Sequence, residues 1–268
     1  MSFFKRKINN EWICYGNENI GKSHVEDGIP CQDKISYCCD KKKLIATLCD
    51  GLGSKKNADK GAAFVSYAIK QILSKDFFEL FKLDETDIAK ALVNELLALL
   101  HKNKEICKTD IDSLKTTLMF IAIRNGRFIL GHIGDGVLCL LNNDEIVYYS
   151  SCKKNTQELE FANTTYTVFD DDVEKHFIIK KGFIDNSFNG ALLISDGLPF
   201  LANSNKIAPK AISYLDLIRS SEYEFIDSEI NNNIAHIVKS KDTCVDDWSY
   251  IFVVKSLYKR AKPFYNNK

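Results

Sequence analysis

Apolar positions recur along this chain with two different periods. Residues 44–49 (LIATLC) form a short, nearly continuous apolar run that stops at Asp50-Gly51, a length that suits a buried strand. Residues 61–74 place Val65, Ile69 and Ile72 at helical spacing, and residues 86–103 do the same with Ile88, Leu92, Leu96, Leu99 and Leu100. Asp84 or Thr86 is available to cap that second helix. The pattern then changes. TTLMFIAI, the turn Arg124-Asn125-Gly126-Arg127 and FILGHIG predict a hairpin with a type I′ turn. GVLCLL, Asn142-Asn143-Asp144 and EIVYY continue it as a meander. Further strand-like runs are 176–180, 191–195 and 248–254, and 198–240 reads as helical and loop-like with weaker periodicity. Strands that pair as local hairpins, with helices in blocks, define an α+β class: two antiparallel sheets with helices packed outside. With no Pro- or Gly/Ser-rich linker and no internal repeat, residues 1–268 read as one domain.

Composition narrows the function classes. Lys plus Arg equals Asp plus Glu, 36 each, so the basic excess of a dedicated nucleic-acid binder is missing. The clusters Lys5-Arg6-Lys7 and 255–262 read as solvated termini. No run approaches the ~20 apolar residues of a membrane span, and the opening MSFFKRKINNEW has no apolar core of a signal peptide. The nine cysteines form no C-x-x-C pair. The expectation is a reduced, cytoplasmic protein with no nucleic-acid or membrane partner and no structural zinc.

The candidate chemistry lies in scattered aspartates. Asp33 follows Pro30-Cys31-Gln32, Asp50 ends a strand-like run before Gly51, Asp196 ends another before Gly197, and Asp246-Asp247 opens the last strand. Carboxylates at strand ends can converge on one rim of a sandwich. Their mutual repulsion calls for cations, and carboxylate oxygens suit Mg²⁺ or Mn²⁺. The glycines after Asp50 and Asp196 would permit tight turns that bring a carbonyl to the same ions.

The strings GKSHVEDGIPCQD (21–33), DGLGSKKNADKGA (50–62), KTTLMFIAI (115–123), GHIGDGVLCLL (131–141), ISDGLPF (194–200) and DDWSYIFVV (246–254) follow one another in that order. The series closely resembles the metal-dependent protein phosphatase 2C family, and most of all its compact bacterial branch. The resemblance implies a β-sandwich of two antiparallel sheets flanked by helices. It also implies a serine/threonine protein phosphatase in which two Mg²⁺ or Mn²⁺ ions activate water, without a covalent intermediate; no C-x5-R thiolate loop is present. By resemblance Asp33, Asp50, Asp196 and Asp246 are metal ligands, with Asp247 as the other register for the last, and Gly51 lends a carbonyl. Asp135, in Gly-Asp-Gly, matches a position that helps some members hold a third, weaker ion. Thr116-Thr117 matches a hydroxyl pair read as structural. The implied partner is a phosphorylated protein, the substrate of a Ser/Thr kinase, and the enzyme is expected to be a monomer.

The chain departs from the family at two places. Many members carry an arginine shortly before the first aspartate, where this chain reads Val25 to Pro30, and many eukaryotic members carry a histidine where Leu52 stands. His24 is the candidate for leaving-group protonation or phosphate contact, against a loop histidine that only makes a structural hydrogen bond. Lys22 is a candidate phosphate contact. His132 reads as packed, Ser54, Lys55 and Lys56 as a solvated loop or a substrate-side loop, and Asp170-Asp171-Asp172 as an exposed turn. Two other readings stand beside the main one: a non-catalytic sensor or scaffold on this fold, and a phosphatase for a small phosphorylated molecule.

Overall fold

The computed structural model describes residues 7–8, 12–40, 43–106, 108–143, 145–149, 165–198, 202–203, 206–207, 213–214, 218, 230–236 and 245–255, and the statements below concern those residues. The strands are β1 (Lys7–Ile8), β2 (Trp12–Asn19), β3 (Asp33–Cys39), β4 (Lys43–Asp50), β5 (Leu118–Arg124), β6 (Arg127–Ile133), β7 (Val137–Asn142), β8 (Ile146–Tyr149), β9 (Ile178–Phe183), β10 (Phe188–Ile194), β11 (Ala202–Asn203), β12 (Lys206–Ile207) and β13 (Trp248–Lys255). The helices are α1 (Lys22–Asp27), α2 (Ala58–Lys82), α3 (Glu85–Lys102) and α4 (Val173–His176).

Two antiparallel sheets carry the fold, in the orders β1-β2-β13-β10-β7-β8 and β3-β4-β5-β6-β9, beside a small β11-β12 pair. Leu44, Ala46, Leu48, Met119 and Ile121 of one sheet meet Cys14, Leu138, Leu193, Ile251 and Val253 of the other in the space between them. On its outer face the five-stranded sheet packs Phe120, Ala122 and Ile129 against Val65, Ile69, Leu73 and Phe77 of α2 and Leu92 of α3. The six-stranded sheet is covered outside too, where Tyr15, Tyr250 and Phe252 meet Tyr214, Ile218, Ile230 and Ile234. Both sheets are thus buried on both faces, which is why their central strands read as continuous apolar runs rather than alternating ones. Among the described residues no helix is long and apolar enough to cross a membrane.

The predicted hairpin is present: β5 and β6 pair antiparallel across Asn125 (φ 50) and Gly126 (φ 70), the positive pair that a type I′ turn needs. The predicted meander holds from β7 to β8, which pair antiparallel, but it does not continue from β6. β6 lies in one sheet and β7–β8 in the other, so the chain crosses the sandwich at Gly134-Asp135-Gly136. Gly134 has φ 124, and a Cβ on Gly136 would stand 2.5 Å from Met119 Cε. Turn residues announce a reversal but not which sheet receives the next strand. The partners of β13 are likewise distant in sequence, as in Trp248 opposite Asn19.

Helix α2 outruns its predicted span of 61–74 because Phe77 and Leu80 prolong the buried stripe past the charged pair Lys75-Asp76. Of the two capping candidates for α3 it is Asp84 that caps, accepting from Asp87 N–H at 2.8 Å. Strands β2 and β3 and the short helix α1 carried no clear periodic signal. Of the region 198–240 only fragments are described; 230–236 is helical, and the remainder of that expectation lies outside the described residues.

Phe77 is 1% exposed and joins α2 to the sheet. Phe77→Ala should cost about 3–5 kcal/mol, read from the urea midpoint; a loss below about 1 kcal/mol would contradict this packing of the second half of α2.

Candidate metal centre

Sheet register gathers the predicted aspartates on one rim. Asp33 opens β3 directly opposite Asp50, which closes β4. Ile194, at the end of β10, pairs with Val137 at the start of β7 and with Tyr250 near the start of β13. The crossing that carries Asp135, the Ser195-Asp196 step and the Asp246-Asp247 entry to β13 therefore share that rim. Carboxylate oxygens of Asp50, Asp135 and Asp196 lie within 4.8 Å of one another.

Burial and repulsion dominate the electrostatics. Asp33 is fully buried; its Oδ2 accepts from Ser195 Oγ at 2.7 Å, while its Oδ1 is buried without a hydrogen-bond partner. Loss of hydration lifts its carboxyl to about 7, opposed by hydroxyls of Ser195 and Ser249 and reinforced by Asp247 and Asp196. The same loss of hydration holds Asp50 well above the carboxylate range, followed by the charges of Asp33, Asp196 and Asp135. Asp196 sits at the exposed edge, yet desolvation, then Asp135, raises it to about 6. The carboxylates of Asp50 and Asp196 lie close enough to raise each other's hold on a proton. Without a cation, full ionisation of this group is unfavourable.

Backbone contacts hold the rim. Asp50 N–H donates to Thr117 Oγ1 at 3.0 Å, and its carbonyl accepts from Thr116 Oγ1 at 2.8 Å. Ser195 Oγ accepts from Ser249 N–H at 2.8 Å, tying β10 to β13. Asp196-Gly197 forms the expected turn, while Gly51 lies in a bridge opposite Thr116. Neither glycine has a positive φ; both allow close approach. A Cβ on Gly51 would lie 2.8 Å from Ala58 O at the start of α2, and one on Gly197 would lie 1.8 Å from Asp247 O.

The two registers of the last motif differ in what their oxygens do. Asp247 is buried and accepts from Gly21 N–H at 2.7 Å and Gln32 N–H at 2.5 Å, one on each oxygen. Asp246 is exposed and adds its charge to the field at Asp196. His24 stands beside this pair. It belongs to α1 rather than to a loop and is 8% exposed, with Nδ1 2.9 Å from Asp247 Oδ2. Lys22 is exposed in the first turn of α1. Gly28, in the stretch without arginine, ends α1 at φ 66. His132 is packed, opposite Met119 and fully buried; burial pulls it down to about 4 and keeps it neutral.

Some of the arrangement carried no sequence signal. Thr165 Oγ1 donates to Asp135 Oδ2 at 2.5 Å. It also lines a cleft of about 530 Å³ with Leu52, Ser54, Lys55, Lys115 and Tyr166. The two lysines are anchored there by Asp112, and Lys115 also by Asp170 at 3.0 Å; the acidic turn 170–172 is thus partly engaged. Ser195 was in principle findable, since a hydroxyl ending a buried strand must find a partner.

A family model described as protein phosphatase 2C matches residues 20–233. Among solved structures the chain is similar to the S. agalactiae serine/threonine phosphatase, at 14% identity over 91% of this chain and 99% of that one with a TM-score of 0.61. It is also similar to the catalytic domain of the serine/threonine protein phosphatase PstP in complex with two manganese ions (16% identity, 92% and 99% covered, TM-score 0.60). A third is RsbX in complex with magnesium (14% identity, 95% and 100% covered, TM-score 0.58). At these identities the likeness speaks for the fold. No match was found among curated protein sequences.

The pH dependence follows from Asp33. Its native carboxyl, at about 7 against an ordinary 3.8, holds a proton more tightly than the unfolded chain does. The stability it contributes is present below about pH 4 and is lost as pH rises toward 7. Metal-free Asp33→Asn should therefore gain on wild type by a few kcal/mol between pH 4 and 7.5, on the order of the shift involved. Thermal melts in EDTA across that range test this; parallel profiles for the two proteins would contradict it.

Proposed function

This chain belongs to the protein phosphatase 2C family, and on that premise we propose that it hydrolyses phosphoserine and phosphothreonine in proteins with the help of two Mg²⁺ or Mn²⁺ ions. What carries the reading is the convergence of Asp50, Asp135 and Asp196 within 4.8 Å beside a buried Asp33 whose Oδ1 has no partner. An all-oxygen donor set with uncompensated charge suits hard divalent ions.

In this reading Asp33, Asp50, Asp196 and Asp246 would hold two ions with the Gly51 carbonyl, and Asp135 a third. Such ions neutralise phosphoryl oxygens and lower the pKa of a coordinated water. The chain's own residues do the remaining work. Ser195 orients Asp33 through its hydrogen bond at 2.7 Å, and Thr116 and Thr117 hold the backbone of Asp50. Asp247 faces Nδ1 of His24, which leaves Nε2 to give the leaving serine or threonine oxygen its proton, or to meet the phosphate with Lys22. The cleft walled by Leu52 and Tyr166 receives chain flanking the phosphorylated residue. Burial pushes the thiols of Cys49 and Cys139 up, which disfavours a thiolate nucleophile and agrees with direct attack by water. A non-catalytic role on the same fold has in its favour the absence of the usual arginine and histidine; the retention of every metal aspartate weighs against it.

Hydrolysis of p-nitrophenyl phosphate and of a phosphothreonine peptide should appear with Mn²⁺ or Mg²⁺ and vanish in EDTA. Asp50→Asn and Asp196→Asn should each lose at least about 100-fold, since several kcal/mol of charge stabilisation depend on the ions. An inactive wild type with every metal sinks the enzyme reading, and variants equal to wild type sink the ligand assignment. His24→Ala should lower kcat more than it changes KM; an unchanged kcat would return His24 to a purely structural role.

A further inference from the structure

A row of cations crosses the five-stranded sheet at the end remote from the aspartates. Register sets Lys43 opposite Arg124, Arg124 opposite Arg127, and Arg127 opposite Phe183. Lys43 is accounted for, with Nζ 2.6 Å from Ser74 Oγ and 3.7 Å from Asp40. The arginines are not. Like charges directly opposite one another destabilise a sheet, yet neither arginine has a carboxylate partner among the described residues. Arg124 gives one hydrogen bond, to Ser74 O at 3.3 Å, and Arg127 makes only ring contacts. Aromatic faces hold both: Arg124 lies 4.6 Å from the centre of Phe78, and Arg127 lies 5.7 Å from Phe81 and 5.6 Å from Phe183. Phe183 is 71% exposed.

The C-terminal end of α2 explains part of this charge. Lys181 Nζ donates to the Phe81 carbonyl at 2.9 Å and also to that of Leu83, as a cation at a helix C-terminus should. Arg127 bonds to no such carbonyl. Its guanidinium is stacked in place with its planar fork of donors unused, the form in which arginine grips a carboxylate with two bonds. Arginine beside aromatic rings is also the composition of interaction hot spots. Strand β9 closes its sheet as an edge, where an extended chain can lie.

We propose that Arg124, Arg127 and Phe183 form a docking surface for an acidic, extended segment of a partner protein, whose carboxylates meet the two guanidiniums and whose apolar side chain covers Phe183. The seven residues of β5 put this surface ~20 Å from the aspartate rim at about 3.3 Å per residue. A docked segment leaves the metal centre open, so the surface would recruit a substrate or regulator rather than compete with one. The proposal is independent of the phosphatase reading.

Fluorescence anisotropy of the full chain with a short labelled peptide of aspartate, glutamate and leucine tests it. Binding should be salt-sensitive, and the same peptide with lysine for each acid should not bind. Arg127→Gln and Phe183→Ala should each weaken binding at least tenfold, and Arg127→Lys by less, since charge survives and the fork does not. The melting temperature should stay within a few degrees of wild type for Phe183→Ala, the exposed site, which keeps the test valid if Arg127→Gln misfolds. Equal binding of the acidic and lysine peptides, or Phe183→Ala binding as wild type does, overturns the proposal. So does tighter binding, at the same salt, to phosphatidylserine vesicles or to a single-stranded oligonucleotide.

Discussion

Repulsion among carboxylates drawn onto one rim is the constraint on which the arrangement depends. Asp33 and Asp50 are cross-strand neighbours, and Asp135 and Asp196 complete the group from the crossing between sheets and from the end of β10. In a protein without ions such a group holds protons that carboxylates ordinarily release, as the raised positions of Asp33, Asp50 and Asp196 show. The surrounding sandwich must therefore keep these residues together against their own electrostatics. A soft support would let them spread until water screened them.

The support is backbone at close range. Gly51 lies against the first residue of α2, and Gly197 lies against Asp247 O, each where a Cβ could not fit. Asp247 then gathers Gly21 N–H and Gln32 N–H on its two oxygens, fixing the segments on either side of α1. Ser195 links Asp33 to β13 through Ser249 N–H. Each functional aspartate thus follows or precedes a residue whose own packing leaves little freedom. A site built this way on strand ends is more rigid than one built on loops.

Much of this was legible in the sequence. The apolar runs located β4, β5, β6, β7, β10 and β13, since strands buried on both faces need no alternation to be seen. Asn125-Gly126 announced its turn through φ requirements that few other residues meet. The crossing from β6 to β7 was not legible, because sheet membership depends on partners distant in the chain. β3 is mixed in polarity, and α1, at six residues, is too short for a helical period to stand out. Asp50 and Asp196 stood out because each ends an apolar run before glycine, whereas Asp33 and Asp135 were picked out by the order of the motifs. The roles of Thr165 and Asp247 were not legible: the first is defined by a contact to Asp135 across 30 positions, and the second does the work of a cap for two distant segments.

The two ends of the sandwich contrast in how charge is handled. At the aspartate rim, like charges run from the fully buried Asp33 to the exposed Asp196 and leave one oxygen of Asp33 unpartnered. At the opposite end, like charges are half-exposed and held over aromatic rings. Burial makes the first group expensive unless cations arrive, so its occupancy is coupled to stability and to pH. Solvation makes the second inexpensive to leave empty, so its occupancy is governed by partner concentration alone. The phosphate grip falls between these regimes. With Gly28 and Leu52 in place of the usual cation and proton donor, the candidates for those tasks are His24, beside Asp247, and Lys22, exposed at the start of α1. Both ride on a helix anchored by the same Asp247 that braces the aspartate rim, so a change at Asp247 would disturb the proposed ligands and the proposed phosphate contacts together.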